Sequence, residues 1–240
     1  MWPIVRIAFT LLAGDWLNQG MHSQPNERDL NPSNASKIKL LWTRQLSDKP
    51  LSAPIIHGRL ITYRGTVELV FVASASGQIF ALDGDSGKTF WIRNLDSGKK
   101  CLTPATPALT PDDPDHDADD DGPQPVRPIY AISPSAYLFS IHPIDGKDLS
   151  PPRPFHCAAY LTTDGKQVRS KSKVIRTPID ANGLRITLTN ELQIIDATTQ
   201  KILYTSTNIG IPKSTPAIAN GHICFTASGT LACYGIPLEP

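Results

Sequence analysis

The densest chemistry in the sequence is a run of carboxylates. Seven aspartates fall within "PDDPDHDADDDG", positions 111 to 122, with no lysine or arginine among them. Its centre, "DADDDG" (117 to 122), reads D-x-D-x-D-G, the first half of a calcium loop of the EF-hand kind. Asp117, Asp119 and Asp121 would supply the oxygens and Gly122 the sharp bend. The bidentate glutamate that ends such a loop is missing, and Pro128 stands in its place. Crowded carboxylates repel one another, and a hard cation would relieve that repulsion. Two other readings fit the same residues. The run is a solvated insertion without fixed structure, or the basic stretch "KQVRSKSKVIR" (166 to 176) neutralises it from an adjacent unit.

Sulfur is the second candidate. Cys224 and Cys233 flank "CFTASGTLAC". With Ser228-Gly229 as a two-residue turn, Ala227 pairs with Thr230 and Thr226 with Leu231. The same register sets Cys224 opposite Cys233 at a non-hydrogen-bonded pair, where side chains approach most closely. In an exported protein the expectation is a cross-strand disulfide; in a reducing compartment it is two buried thiols. Cys101 and Cys157 carry no register argument. The histidines (His22, His57, His116, His142, His156 and His222) show no metal-ligand spacing and read as surface or turn residues. There is no G-x-S-x-G elbow and no defensible Cys-His arrangement. Asn34-Ala35-Ser36 matches a glycosylation sequon, relevant only in a eukaryotic secretory route.

"FALDGDSGKTFW" (80 to 91) contains a Gly-Lys-Thr, but a phosphate loop would need its first glycine at position 82, where Leu82 stands. A phosphate loop must also open a helix. Here Thr89-Phe90-Trp91-Ile92 follows, which is β-branched and aromatic and reads as a strand. The stretch is a strand, a turn and another strand.

That unit recurs. "SGQIFALDGDSGKTFW" (76 to 91) aligns with "SAYLFSIHPIDGKDLS" (135 to 150), with "TNELQIIDATTQKILY" (189 to 204) and with the shorter "SGTLACYGIP" (228 to 237). One column holds Gly87, Gly146 and Gln200, and another holds Trp91, Ser150 and Tyr204. A proline-led strand precedes each copy: "SAPIIHGRL" at 52, "TPATPAL" at 103, "RTPIDANGL" at 176 and "STPAIANGH" at 214. The repeats average about 45 residues, the length of one propeller blade. A total of 22 prolines and 16 glycines punctuates short apolar runs, so the fold class is all-β. Net charge is +1, leaving about +8 outside the aspartate run, too dispersed to argue for nucleic acid. "KLLWTRQLS" (39 to 47) resembles the outer strand "TFWIRNLDS" (89 to 97), yet no blade precedes it. Residues 38 to 46 are therefore expected to complete the last blade and close the ring, removing two exposed sheet edges. "MWPIVRIAFTLLAG" reads as a worn secretion signal, too short to span a membrane, or as a frayed, partly buried arm.

The pattern A-x-D-x-x-x-G-K-x-x-W, carried by Ala81, Asp83, Gly87, Lys88 and Trp91, resembles the blade signature of the quinoprotein-type propellers, whose repeats are named for pyrroloquinoline quinone (PQQ). The segment 15 to 42 resembles that family's usual mature N-terminus, and "TPAIANGHICFTASGTLACYGIP" its last blade. The resemblance implies that the tryptophan docks between neighbouring blades, with Trp42 in the matching place, and that the Asp and Gly shape the turn leading to it. Relatives commonly have about six to eight blades, whereas four are counted here, so the ring is reduced or partial. The family's dehydrogenases use adjacent cysteines, a tryptophan floor and acidic or amide calcium ligands. No two cysteines here are adjacent, and no residue carries over to a quinone site.

The expectation is an all-β propeller of about four PQQ-like blades over residues 38 to 240, preceded by a leader-like segment and arm over 1 to 37. It would be exported and non-catalytic, serving as a binding or scaffolding module. The longest loops, 109 to 128 and 150 to 176, are where a partner or ion would meet it. Two alternatives stand beside this: a PQQ-dependent dehydrogenase-like oxidoreductase, and a partial propeller that assembles with a second chain. No cofactor is assigned; PQQ enters through the resemblance alone and calcium through the aspartate run. A protein or small-molecule partner is left unidentified, with no nucleic acid and no transmembrane segment expected.

Overall fold

A computed structural model describes residues 23–24, 27, 29–47, 51–62, 65–96, 108–109, 128–154, 178–207, 209–210, 212, 214–227 and 229–237. The chain enters through β1 (Ser23–Gln24), a single 3-10 turn (Ala35–Lys37) and β2 (Lys39–Gln45). Each repeat then forms one sheet. The first sheet is β3 (Ile55–Thr62), β4 (Gly65–Ala73), β5 (Gln78–Asp83) and β6 (Thr89–Asn94). The second is β7 (Ala108–Leu109), β8 (Ile129–Ile132), β9 (Tyr137–Ile141) and β10 (Asp148–Pro154). The third is β11 (Ile179–Ala181), β12 (Leu184–Leu188), β13 (Leu192–Asp196) and β14 (Ile202–Ser206), with β1 added parallel to β11. The fourth is β15 (Ala217–Ala219), β16 (His222–Ala227) and β17 (Thr230–Gly235), and β2 is its outer strand. Asn-Gly pairs make two of the inner hairpins: Asn182-Gly183 and Asn220-Gly221 have φ of 44°, 79°, 47° and 84°. Positive φ at both central residues is the requirement of a type I′ turn, whose twist matches the strands it joins.

Alternation along each strand gives every inner sheet two apolar faces. In β5, Ile79 and Ala81 enter one core while Phe80 and Leu82 enter another. Three cores follow. The third and fourth sheets share Leu184, Ile186, Ile194, Ile223 and Phe225 among others. The fourth and first share Val70, Val72, Phe80, Cys224 and Leu231. The first and second share Leu69, Phe71, Ile129 and Ile141. The packing order is therefore third, fourth, first, second. Arm residues Leu30, Ala35 and Ile38 are buried in the core of the third and fourth sheets.

The expected closing strand is present, because β2 pairs with β17 through Trp42 opposite Cys233. Ring closure itself is not. Among the described residues no core joins the second sheet to the third. The two surfaces that would have to meet are unlike. The outward face of the third sheet carries Asp180, Arg185, Thr187 and Gln193 beside Ile195 and Ile202, with Arg185 donating to the two Asp180 oxygens at 2.9 and 3.1 Å. The outward face of the second sheet carries Tyr130, Ile132 and Leu138, which are half-buried.

One irregularity repeats in all four outer strands. Register slips by a residue at Leu41 in β2, Phe90 in β6, Leu149 in β10 and Leu203 in β14. A bulge there lets two successive residues face the same way, against the normal alternation. Leu41 with Trp42, Phe90 with Trp91, and Leu203 with Tyr204 thus enter the same core as pairs. In β10 the pair is Leu149 with Ser150, and Leu149 is 45% exposed.

The tryptophans then seat on glycine turns of the next sheet. A Cβ on Gly87 would lie 2.5 Å from the Trp42 ring, and one on Gly146 would lie 3.0 Å from Trp91. Both glycines have positive φ, 64° and 70°. Gly87→Ala therefore combines a left-handed backbone, costing about 1–2 kcal/mol, with overpacking, costing about 1–3 kcal/mol. Gly65 also has positive φ, 96°, but its Cβ would meet nothing within 4 Å. In urea denaturation Gly87→Ala should lose clearly more stability than Gly65→Ala; equal losses would show that the indole seat contributes nothing.

Candidate functional site

The signature residues serve two joints, the Asp83–Gly87 turn between the fourth and first sheets and Ala81 with Trp91 between the first and second. Ala81 is buried and sits opposite Trp91 in register. Asp83 ends β5, and its Oδ1 accepts from the Ser86 amide at 2.8 Å and the Ser86 hydroxyl at 2.6 Å. The Gly87 amide donates to the Asp83 carbonyl at 2.8 Å, closing the turn. Trp42 Nε1 then donates to the Gly84 carbonyl at 2.6 Å. Trp91 repeats the arrangement one sheet along, donating to the Pro143 carbonyl at 2.8 Å. Arg93 reinforces that second joint, with 2.7 Å contacts to the Gly146 carbonyl and to Asp148. Lys88 is exposed on its turn and β6 follows it, so the Gly-Lys-Thr is not a phosphate loop.

Cys224 and Cys233 lie directly opposite in the β16–β17 register, with Cα atoms 4.1 Å apart and sulfurs within bonding distance. That Cα spacing is on the short side for a cross-strand pair, as a non-hydrogen-bonded pair provides. Both are fully buried against the first sheet. Asp117, Asp119 and Asp121 lie outside the described residues, as do Cys101 and Cys157. Among the described residues no group of three or more His, Cys, Asp or Glu is arranged to hold a metal ion.

The set does not fit a quinone. Adjacent cysteines are missing from the sequence, and the indole N–H groups of Trp42 and Trp91 are both spent on carbonyls of the next sheet.

The joint between the fourth and first sheets holds a cluster of charge. His222, expected at a surface or turn, is only 8% exposed. It begins β16 immediately after the Asn220-Gly221 turn and points across the joint at the first sheet. Its Nδ1 is 2.7 Å from Glu68 Oε1 of β4, and its Nε2 is 3.2 Å from Asp85 Oδ1 in the β5–β6 turn. Burial pulls the imidazole down, but the Glu68 carboxylate, the Asp85 charge and the Asn220 carbonyl outweigh it, leaving His222 above its ordinary 6.5. Glu27 lies on the other side of the same turn and is 3% exposed. Its carboxylate accepts from the amides of Asp29 at 2.7 Å, Leu30 at 2.8 Å and Gly221 at 3.3 Å. Burial raises its pKa above 4.5 against the lowering effect of those amides. No spacing in the sequence marks this group, because its members come from the arm and from the first and fourth sheets.

A buried hydroxyl network completes the joint. Thr226 Oγ1 donates to Ser214 Oγ at 2.8 Å and approaches the Ser52 carbonyl at 3.2 Å. Ser52 Oγ accepts from the Ala73 amide at 3.0 Å.

No family model matches the chain, and no curated protein matches it in sequence. Among solved structures it is similar to BamB from Moraxella catarrhalis, at 13% identity and a TM-score of 0.24, covering 83% of this chain and 61% of that one. It is similar to a quinohemoprotein alcohol dehydrogenase from Pseudomonas putida, at 14% identity and a TM-score of 0.36, covering 81% of this chain and 27% of that one. It is likewise similar to a europium-containing methanol dehydrogenase, at 12% identity and a TM-score of 0.36, covering 81% and 30%. The chain thus spans less than two-thirds of each of these structures.

A cross-strand disulfide at Cys224–Cys233 makes a direct prediction. Denatured, unreduced protein should show no more than two of the four thiols free. Four free thiols would reduce the pair to two buried side chains.

Proposed function

We propose that the chain is a non-catalytic binding or scaffolding protein built from PQQ-like blades, and that it works outside the reducing cytoplasm. The observation that carries this reading is where the chemistry-bearing residues are used. Trp42, Trp91, Asp83 and Gly87 are consumed in holding one sheet to the next. The facing cysteines favour export, since a structural disulfide persists in an oxidising compartment. Among the described residues, no helix is long and apolar enough to cross a membrane.

Binding is favoured over catalysis by the surface the arc leaves. Leu149 on the second sheet is 45% exposed beside half-buried Tyr130, Ile132 and Leu138. An apolar sheet face of this kind suits a protein partner. It also favours the second reading, a partial propeller that a second chain extends. A dehydrogenase would need a quinone seat, and the residues present do not supply one.

Titration of the purified protein with PQQ and with calcium, followed by quinone absorbance and melting temperature, tests the reading. Specific binding raises stability by mass action. No response to PQQ is expected; a saturable shift would restore the dehydrogenase. A shift with calcium alone would assign the Asp117, Asp119 and Asp121 run as a cation site. Light scattering separates the two binding readings: a monomer mass supports a module that meets other proteins, and a dimer mass supports ring extension by a second copy.

A further inference from the structure

We propose that His222 is a proton-operated clamp between the fourth and first sheets, holding the joint as an imidazolium gripped by Glu68 and Asp85 and releasing it when the ring becomes neutral. The geometry requires two protons on the ring. Nδ1 faces the Asn220 carbonyl at 3.2 Å as well as Glu68 at 2.7 Å, and both are acceptors, so Nδ1 must carry a hydrogen. In the neutral ring the second nitrogen, Nε2, would then present its lone pair to the Asp85 carboxylate 3.2 Å away. Neither His222 Nε2 nor Glu68 Oε1 has an aligned hydrogen-bond partner among the described residues. Their attraction is coulombic and vanishes with the proton. Both side chains are only 10% exposed, so water cannot replace it cheaply.

The surroundings are shaped for this contact. A Cβ on Gly58 of β3 would collide with the Asn220 side-chain amide, and one on Gly84 would lie 3.1 Å from Glu68 Oε1. Glycine at both positions lets the fourth sheet's turn and the Glu68 carboxylate approach the first sheet's backbone. The charges facing His222 are Glu68 from β4 and Asp85 from the β5–β6 turn. Glu27 of the arm faces the same turn, bound to the Gly221 amide, and Asp29 lies beside Gly221. The two carboxylates facing the ring, Glu68 and Asp85, favour its protonated form against burial, while Lys39, two strands along in register through Gly235, is the basic group on the same face of the sheet. Trp42 donates to the Gly84 carbonyl and seats on Gly87 within the same joint, so loosening the clamp bears directly on the indole seat.

The direction with pH follows. His222 is raised in the folded protein above its ordinary 6.5. Its contribution is complete below the unfolded value and is lost as pH rises through the folded value. At the acid end it persists until the carboxylates protonate. The joint is thus tight in mildly acidic surroundings and looser in alkaline ones.

The experiment is an NMR titration of the His222 ring in the full chain, with melting temperature followed in parallel from about pH 6 to pH 9. The ring should titrate above 6.5 in the native protein. Glu68→Gln, close in shape, should move it to lower pH. His222→Gln should flatten the alkaline fall in melting temperature. A ring that titrates at or below 6.5, or that is unmoved by Glu68→Gln, overturns the clamp. If His222→Gln fails to fold, the Glu68→Gln titration alone decides the matter, as does Asp85→Asn, whose parent side chain is half-exposed and replaceable.

Discussion

An indole lying on a glycine turn is the contact on which the architecture depends. A four-stranded sheet with apolar residues on both faces cannot bury them alone, so each sheet must hold its neighbour at a fixed distance. Trp42 on Gly87 and Trp91 on Gly146 set that distance twice. The glycine must lack a Cβ to admit the ring and must turn through positive φ to present its surface. The outer-strand bulge supplies the remaining condition, placing a second large side chain beside the indole on the same face. The joint of the third and fourth sheets keeps the bulge but sets Tyr204 in the aromatic place.

The same rule explains where the arc stops. Between the second and third sheets the aromatic position is Ser150 and the glycine position is Gln200. Gln200 keeps the turn conformation at φ 59° although a side chain strains it. With no indole arriving from Ser150, the turn needs no open surface and tolerates a Cβ. Leu149, the bulge residue of that strand, correspondingly stays exposed. The outward face of the third sheet sets an Asp180–Arg185 pair and Gln193 beside Ile195 and Ile202.

The joint between the fourth and first sheets differs from the others in carrying charge and hydroxyls as well as hydrocarbon. It is also the joint that unites the two ends of the chain, since β2 completes a sheet begun by β15 to β17. Thr226 with Ser52 and Ser214, and His222 with Glu68 and Asp85, place polar contacts across it that work at only one relative position. A purely apolar contact is non-directional. Directional polar contacts here define how the N-terminal strand and the C-terminal repeat meet.

Much of this was legible along the chain. The alternation within strands and the two-residue turn that sets Cys224 opposite Cys233 are read from residues a few positions apart, because hairpin register and strand alternation are local in origin. The repeat and the place of β2 beside the last repeat are read from likeness between distant segments. The docking role of Trp42 and Trp91 was implied by the resemblance to quinoprotein-type blades and not by their spacing. What only the tertiary structure decided was which faces meet. That three joints form among the described residues depends on pairs of residues from different repeats, such as Trp42 with Gly87. The grouping of Glu27, Glu68, Asp85 and His222 depends on the arm and two sheets converging at one turn. Sequence spacing carries no record of such convergence, because charge interacts through space and not along the chain.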